Sequence, residues 1–422
     1  MKRHLLIVLL IVLLSASAFC ILPVSVFAAE PADFITKGNF YGDARYRYET
    51  VDQDGPAPIT DDAHASTLRL RTGFKTGTYV GFQGLVEFDL VGNIGGDDYN
   101  DSINGQTQYP VIADPATEIL NQLWVSWAGL PQTTLKLGRQ AINLDNQRFI
   151  GTVGWRQNDQ TFDAVTLENK SIDKLSLLYG YVGNVNRVFG PDHPLGDYDT
   201  ETHLAHAIYA FQPWLNVTGY GYWMDFDLAP ASSSRTFGLR LNGERKFNEN
   251  WTFFYEAEMA EQEDHGNNPA SYDASYYYVS PGVKFGGLSL SAGFESLEGN
   301  GANSFQTPLA TLHAFNGWAD KFLTTPASGL EDAYGKISYT VSGMGKWADN
   351  TVFDAAYHDY NAENTSADYG TEWNLQIGRT LKTEKETYPF KEWSVSVKYA
   401  DYDAEDLFTD TEKVWLTLGT KF

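Results

Sequence analysis

Apolar and polar residues alternate along most of this chain, from about residue 36 to the carboxyl terminus. In "STLRLRTGFKT", for example, Leu68 and Leu70 share one face and Arg69 lies on the other. Period-two alternation over roughly ten residues, bounded by Gly, Asn, Asp or Pro, predicts β-strands. Eighteen such segments can be counted. The sequence therefore predicts an all-β protein.

The connections between these segments alternate in length. Tight turns are predicted near residues 77, 130, 172, 213, 248 and 286, with looser ones near 345 and 386. The long connections are predicted at residues 51–63, 91–117, 142–158, 185–201, 227–233, 265–273, 298–331, 361–369 and 404–411. Long loops at one end and short turns at the other are typical of bacterial outer-membrane barrels. We therefore expect a single transmembrane antiparallel β-barrel of about 18 strands, with 16 as the alternative, extracellular loops and periplasmic turns.

The two faces of the predicted strands differ as a membrane barrel requires. An apolar row can face lipid, whereas charges are tolerated on the row that faces a wet interior. Strand parity gives these lumen-facing candidates: Arg45, Arg47, Arg69, Arg71, Lys75, Glu87, Asp89, Arg240, Glu244, Glu256, Glu258, Glu295 and Lys398. Aromatic residues near strand ends are predicted to form interfacial girdles. They are Tyr46, Tyr48, Trp124, Trp127, Tyr220, Tyr222 and Tyr276 to Tyr278.

The amino terminus has the pattern of a secretory signal peptide. A basic start, an apolar run from Leu5 to Leu14 and small residues at 28 and 29 predict cleavage there, leaving residues 30–422 as one barrel domain. Cys20, the only cysteine, falls in the removed segment, which excludes thiol chemistry from the mature chain. The net charge of −24 argues against nucleic acid as a partner.

The segment "LGRQAINLDNQRFIGTVGWRQ", residues 137–157, gathers arginines on one long connection. The candidate site residues here are Arg139, Arg148 and Arg156, interspersed with Asp145, Asp159 and Asp163. One interpretation is a salt-bridge network that holds the loop against the barrel wall, because guanidinium groups pair bidentately with carboxylates. The other is a charged constriction that selects solutes. The two are compatible.

The motifs "LGRQ", "RFIG" and "GWRQNDQTFDAV", with "FQTPLATLHAFNGWADKFLTTPASGLEDAYG" at 305–335, resemble the alginate-export family of outer-membrane porins. The resemblance implies an eighteen-stranded monomeric barrel. The characterised member of that family exports a polysaccharide through an arginine-lined lumen. It also implies that the six candidate residues of the arginine-rich segment belong to the pore. This chain departs from that pattern, since glutamates lie beside its arginines and its net charge is negative.

The longest connection, residues 298–331, is unusually apolar. Its apolar residues recur near helical spacing, which predicts a short helix in or over the barrel mouth, or alternatively an extracellular cap. They are Phe305, Leu309, Leu312, Phe315, Trp318 and Phe322. The acidic clusters at 95–101, 197–201, 261–266 and 401–410 are expected to form a solvated rim, with divalent-cation binding as the alternative.

Catalytic patterns are weak. His64 and Ser66 lie two apart on a predicted lipid-facing row, which is compatible with a lipid-facing hydrolase, although chance occurrence of this short pattern is favoured. His203 and His206 have an odd separation, which places them on opposite faces and disfavours a zinc site. No phosphate-binding glycine loop precedes a helix. The sequence predicts no enzyme, cofactor or metal.

The leading hypothesis is a passive outer-membrane channel of a Gram-negative bacterium for a hydrophilic solute or polysaccharide. The alternatives are a sleeve around a partner such as an electron-transfer protein, and the lipid-facing hydrolase. Expected partners are outer-membrane lipid, lipopolysaccharide and the assembly machinery, which would read a terminal strand ending in Phe422. A monomer is expected from the resemblance.

Overall fold

The computed structural model describes residues 30–55, 57–382 and 390–422. The predicted signal peptide, residues 1–29, lies outside the described residues. A four-residue helix α1 (Asp33–Thr36) precedes the strands. The strands are β1 (Asn39–Gln53), β2 (Ala63–Lys75), β3 (Phe82–Asp98), β4 (Thr117–Leu130), β5 (Thr133–Gln140), β6 (Thr161–Asn169), β7 (Leu175–Asn186), β8 (Asp197–Gln212), β9 (Leu215–Met224), β10 (Ser234–Lys246), β11 (Trp251–Asp264), β12 (Asp273–Phe285), β13 (Leu288–Leu297), β14 (Leu330–Thr340), β15 (Thr351–Asn361), β16 (Asp368–Lys382), β17 (Glu392–Asp403) and β18 (Thr411–Lys421).

The strands form one closed antiparallel sheet. Each strand pairs with its neighbours in sequence, and β1 also pairs with β18, so that Tyr46 lies between Leu68 of β2 and Leu418 of β18. Closure leaves no strand edge with unpaired backbone groups, which a hydrocarbon environment would penalise heavily. The predicted 18-stranded barrel is confirmed, and the 16-stranded alternative is wrong.

The three longest connections leave the barrel at the same end. They are residues 99–116, 141–160 and 298–329. At the other end, β4 and β5 are joined by two residues, as are β8 with β9 and β12 with β13. In barrels of this layout the end with long loops is extracellular and the end with short turns is periplasmic.

The outer face of the barrel is apolar and exposed, the reverse of a water-soluble sheet. In β17 the outward Trp393, Val395 and Val397 are 48%, 43% and 40% exposed, whereas the inward Lys398 is 6% exposed. An apolar belt on the outside with charges inside is the arrangement that a lipid bilayer selects.

Several residues assigned to the aromatic girdle face inward instead. Tyr220, Tyr222 and Tyr276 are at most 6% exposed, whereas their outward neighbour Tyr277 is 50% exposed. The girdle prediction is wrong for these three tyrosines and also for Tyr278 and Trp124, because parity along the strand, and not nearness to its end, fixes the face on which a residue lies. The three tyrosines surround loops that fold into the upper lumen.

The predicted helix in the longest connection is also wrong. Between β13 and β14 the chain makes one 3-10 turn, Leu312–Ala314, and otherwise runs as an irregular segment. Asn316 and Gly317 have φ values of 52° and 84°, which a helix cannot accommodate. A second 3-10 turn, Pro230–Ser232, lies in another loop.

Among the described residues, no helix is both long enough and apolar enough to cross a membrane.

Candidate functional site: two loops inside the barrel

Two extracellular loops fold into the lumen and bind each other there. We call residues 141–160 the first inner loop and residues 298–329 the second inner loop. Ile150 and Leu309, both fully buried, form a parallel bridge between them. The amide of Gly151 donates to the carbonyl of Leu309 at 2.9 Å, and the amide of Thr311 donates to the carbonyl of Gln147 at 3.0 Å. The two loops thus form one hydrogen-bonded body.

An aromatic cluster packs this body against the wall. The ring of Phe149 in the first inner loop lies 5.2 Å from Tyr220, 6.0 Å from Tyr222 and 5.6 Å from Tyr276. Phe305 of the second inner loop is 6.0 Å from the same ring. The buried rings from β9 and β12 therefore provide an apolar face inside an otherwise polar lumen.

Arg148 anchors the first inner loop to β13. Its Nε lies 2.8 Å from the Glu295 carboxylate, and both side chains are at most 3% exposed. Its remaining donors reach Thr307 Oγ1 at 3.0 Å and Asn316 Oδ1 at 3.1 Å, both in the second inner loop. Burial by itself would lower the pKa of Arg148, but Glu295 and Tyr276 raise it above its ordinary value. The charge of Arg148 is thus balanced by Glu295, and its other donors are satisfied by Thr307 and Asn316.

Arg156 joins the first inner loop to β1 and to the second inner loop. It lies 3.1 Å from Glu49 of β1 and 3.1 Å from Asp320. Asp320 in turn lies 3.3 Å from Lys413 of β18 and 2.8 Å from His313. A continuous ionic path therefore runs from β1 through both loops to β18.

Two further aspartates attach the first inner loop to the wall. Asp145 is 2.8 Å from His206 of β8. Asp159 is 2.9 Å from Arg71 and 3.8 Å from Arg69, both of β2. The contacts of Asp145, Arg148, Arg156 and Asp159 together distribute the attachment around much of the barrel circumference.

The structure contradicts the placement of Arg139 and Asp163 in this group. They form an ion pair at 2.8 Å, but on the outward face, where Arg139 shares parity with Leu137, which is 54% exposed. Asp163 lies directly opposite, between the inward residues Phe162 and Ala164. Both side chains are partly exposed, at 29% and 37%. The reason is that β5 continues to Gln140, so strand parity and not the loop fixes their direction.

The lumen-facing candidates are placed inward. Arg45 bonds Gln157 and the backbone of the first inner loop, Arg69 pairs with Asp43, and Arg71 with Asp89. The others in the buried part of the lumen are Arg47, Glu87, Arg240, Glu258, Glu295 and Lys398. Glu244 shares the inward parity but lies near the periplasmic end, where it is exposed and 2.9 Å from Lys284.

Sequence reasoning missed the cage around Lys398. Its ammonium lies 3.9 Å from the centroid of Trp155, 3.7 Å from that of Trp318, and 2.9 Å from His313 Nε2. Trp155 belongs to the first inner loop, and His313 and Trp318 belong to the second. Burial lowers the pKa of His313 to about 3, so this ring is neutral at ordinary pH. The sequence feature that could have indicated this cage is the presence of Trp and His residues in the two long connections.

Glu372 was missed as well. It is fully buried on β16 and accepts hydrogen bonds from the backbone amides of Trp318 and Ala319. No local motif marks a carboxylate that caps backbone amides 54 residues away in sequence.

The comparisons with known proteins agree with this geometry. A model of the alginate export family matches residues 36–177, which span β1 to β6 and the start of β7 and include the first inner loop. No curated protein matches the chain. OccAB2 of Acinetobacter baumannii is similar in structure, with a TM-score of 0.71 at 16% identity over 92% of this chain and 99% of that one. OpdQ of Pseudomonas aeruginosa gives 0.69 at 15% identity, and OpdK of the same species, solved with vanillate, gives 0.68 at 15%, each with the same coverage.

The chain has the barrel fold of the outer-membrane porins to which it is similar. The resemblance to the alginate-export family is confirmed over the matched segment, while the second inner loop lies beyond it. At these identities the likeness to the solved structures shows the fold.

His64 and Ser66 do face outward together, but each has its own tyrosine partner. Ser66 Oγ lies 3.1 Å from the hydroxyl of Tyr46, and His64 Nδ1 lies 3.4 Å from that of Tyr48. In the described part of the chain, no carboxylate or amide side chain is hydrogen-bonded to His64 to orient it as a base.

Proposed function

We propose that this protein is a passive channel through which small hydrophilic solutes cross the outer membrane. The observation that supports this most is the pair of inner loops. They narrow a closed barrel whose strands still line the lumen with charged side chains. Alternate residues of each strand face the lipid and the lumen, and the inner loops set the width of the passage.

The expected ion selectivity is weak. Toward the periplasmic end the lumen is accessible and carries both signs, with Glu244, Glu256, Lys284 and Lys336 as its exposed or half-exposed charges. In the narrowed part the arginines are paired with carboxylates, except Arg45, which bonds Gln157 and the carbonyl of Gly154. Opposite charges that neutralise one another leave little net field along the path.

A small solute is favoured over a polysaccharide strand. Passage of a polymer would require the two inner loops to separate, and they are joined by buried ion pairs and hydrogen bonds at several points. The structural neighbour OpdK, solved with vanillate, offers a precedent for a small ligand in a barrel of this fold.

The sleeve hypothesis needs a wide lumen without inward loops, and two such loops lie in this one. The hydrolase hypothesis needs an oriented base at His64. We therefore retain the channel alone, as a monomer embedded in lipid and lipopolysaccharide.

The test is single-channel recording of the refolded barrel, combined with liposome swelling in solutes of increasing size. We expect open current, a reversal potential near zero in a salt gradient, and entry of monosaccharides but not of long polyuronates. A matched preparation of protein-free liposomes controls for leakage. A closed barrel, or equal entry of polymer and monosaccharide, would overturn the proposal.

A further inference from the structure

A groove of about 450 Å³ lies on the outer face of the barrel, at the ion pair of Arg139 and Asp163. It runs across β4, β5, β6 and β7. Leu123 and Leu137, which line it, are 50% and 54% exposed, as residues that face lipid are. The groove therefore opens toward the membrane and not toward the lumen. The other apolar residues of its lining are Leu120, Ala164, Val165 and Tyr181.

The backbone itself indents the wall at this groove. β5 and β6, with 8 and 9 residues, are the shortest of the eighteen strands. The register of β7 shifts at Gly183 against both of its neighbours, β6 and β8. Such bulges bend a strand and redirect its side chains locally. On β5, Gly138 has a φ of 122°, and a Cβ there would lie 2.2 Å from a carbonyl oxygen of β4. The two glycines thus contribute to a depression that regular strands would lack.

The ion pair is partly open to this groove. Nε and Nη2 of Arg139 donate to the two carboxylate oxygens of Asp163 at 2.8 Å and 3.0 Å, and Nη1 donates to the carbonyl of Leu120 at 3.2 Å. A guanidinium has five N–H groups, so two remain for another acceptor. Asp163 also accepts from Asn186 at 3.2 Å, and its side chain is still 37% exposed. The groove thus presents donors and an acceptor side by side in apolar surroundings.

The depth of the pair limits which groups can reach it. β5 ends at Gln140, one residue beyond Arg139, before the first inner loop turns into the lumen. The pair therefore lies at the extracellular end of β5 and β6, on the side of the outer leaflet. Charged side chains on the lipid face of a barrel are tolerated near the interface and destabilise the barrel at greater depth. The groups at this level are the polar linkages that join lipid headgroups to their acyl chains.

We propose that this groove binds one lipid A molecule of the outer leaflet through an amide-linked acyl chain. The amide carbonyl accepts a hydrogen bond from Arg139, and the amide N–H or the hydroxyl of the chain donates one to Asp163. The apolar part of the chain lies over Leu123, Leu137 and Val165. The inference depends on the outer-membrane location and not on transport.

The chemistry of the pair favours this linkage over other parts of a lipid. The ester linkages of a glycerophospholipid offer acceptors for Arg139 but no donor for Asp163. A phosphate would lie beside the Asp163 carboxylate, and the two negative charges would repel each other. An amide is neutral and has both a donor and an acceptor, which matches the two halves of the pair.

The experiment measures lipid binding to the detergent-refolded barrel by native mass spectrometry, with lipid A, phosphatidylglycerol and phosphatidylethanolamine added separately. We expect lipid A to bind most tightly. The double variant Arg139→Leu with Asp163→Leu removes both charges and leaves neither unpaired. It should bind lipid A roughly 10- to 100-fold more weakly, because hydrogen bonds to charged groups are lost. A retained heat-modifiable gel shift shows that each variant is folded.

A second variant tests the groove without touching the pair. Gly183→Leu places a side chain in the groove, and a Cβ at this position meets its nearest atoms at 3.9 Å, which is ordinary contact. This variant should also weaken binding of lipid A. Unchanged binding would overturn the placement of the acyl chain in the groove.

The matched control is Arg235→Leu with Glu263→Leu. This ion pair also lies outside the lumen at the extracellular end, on β10 and β11, but it does not line the groove. Its removal should leave binding of lipid A unchanged. Wild-type affinity in the variant that lacks Arg139 and Asp163, or equal losses in the two double variants, would overturn the site.

The two phospholipids distinguish the linkage. Phosphatidylethanolamine is the more stringent comparison, because its ammonium group is also a donor. Equal binding of lipid A and either phospholipid would overturn the proposal. A closed barrel that binds lipid A with these preferences would instead overturn the channel and leave the lipid site standing.

Discussion

The anchor at Arg148 offers a direct test of how the inner loops are held. In Arg148→Ala, the guanidinium is removed from a site that is 2% exposed, and Glu295 loses its cation while it stays 3% exposed. The hydroxyl of Tyr276 and the amide of Asn316 still donate to that carboxylate, at 2.7 Å and 2.6 Å. These neutral donors solvate the charge only in part.

The expected cost is large. Removing one partner of a buried ion pair typically costs about 3 to 5 kcal/mol, because the other charge is left uncompensated. At about 1.4 kcal/mol per factor of ten, the equilibrium between docked and undocked loops should shift by roughly 100- to 4,000-fold. The barrel itself should persist, since its strand pairing does not depend on this residue.

Three measurements check this expectation. Single-channel traces of Arg148→Ala should show additional, wider and fluctuating conductance states. Limited proteolysis should cleave the second inner loop at Lys321 faster than in wild type, while the heat-modifiable gel shift of the folded barrel is retained. In Arg148→Met combined with Glu295→Met, which removes both charges, most of the wild-type behaviour should return.

Arg235→Ala is the control, because it breaks an exposed rim pair with Glu263 that touches neither inner loop. If Arg148→Ala has wild-type conductance and protease resistance, the loops are not held by buried charge pairing and the reasoning fails. The same conclusion follows if the double variant is more labile than the single one.

Three other substitutions and one deletion probe separate features. Arg139→Ala should leave the reversal potential unchanged, because Arg139 faces outward. Lys336→Ala removes an exposed cation of the lumen and should shift the reversal potential toward cation selectivity. An equal shift in both variants would contradict the assigned faces. The pKa of His313 is lowered by burial to about 3, so the docked loop holds the neutral ring and docking should weaken as pH falls from 6.5 toward 3. At pH 5 docking should be weakened by about 2 kcal/mol, which is 1.5 pH units at about 1.36 kcal/mol each. The variant His313→Gln should lack this pH dependence of gating. Asp320, whose pKa lies well below its ordinary value, should contribute only at lower pH. Deletion of Phe422 should reduce the folded barrel recovered in the outer membrane of cells but not its refolding in detergent; equal yields in cells would argue against recognition of this terminus by the assembly machinery.

The barrel was predictable because its information is local. Alternation in each strand and the chemistry of each turn repeat along the chain, and a membrane wall enforces them strictly. The bounds of β5, for example, follow from the turn at Pro131 and the apolar residues Leu135 and Leu137. Strand parity also places Arg139 on the outward face with Leu137. Its nearness to Arg148 in the sequence does not indicate which face it occupies.

The interior was less predictable because its contacts are distant in sequence. Arg148 meets Glu295 across 147 residues and Arg156 meets Asp320 across 164. The helical spacing of apolar residues in the second inner loop reflected burial from several sides, and not a helix. When a loop is packed within a barrel, its apolar residues contact wall and neighbour alike, so periodicity loses its usual meaning.

The ionic path from Glu49 through Arg156 and Asp320 to Lys413 has a consequence for assembly. β1 and β18 are the first and last strands to be synthesised, and their pairing closes the cylinder. Because the path crosses that junction from within, the two loops must already lie inside when the ends of the sheet meet, or must enter through the open mouth afterwards. Docking of the loops therefore adds an ionic bridge across the closed junction, and a barrel with its loops outside would lack that bridge.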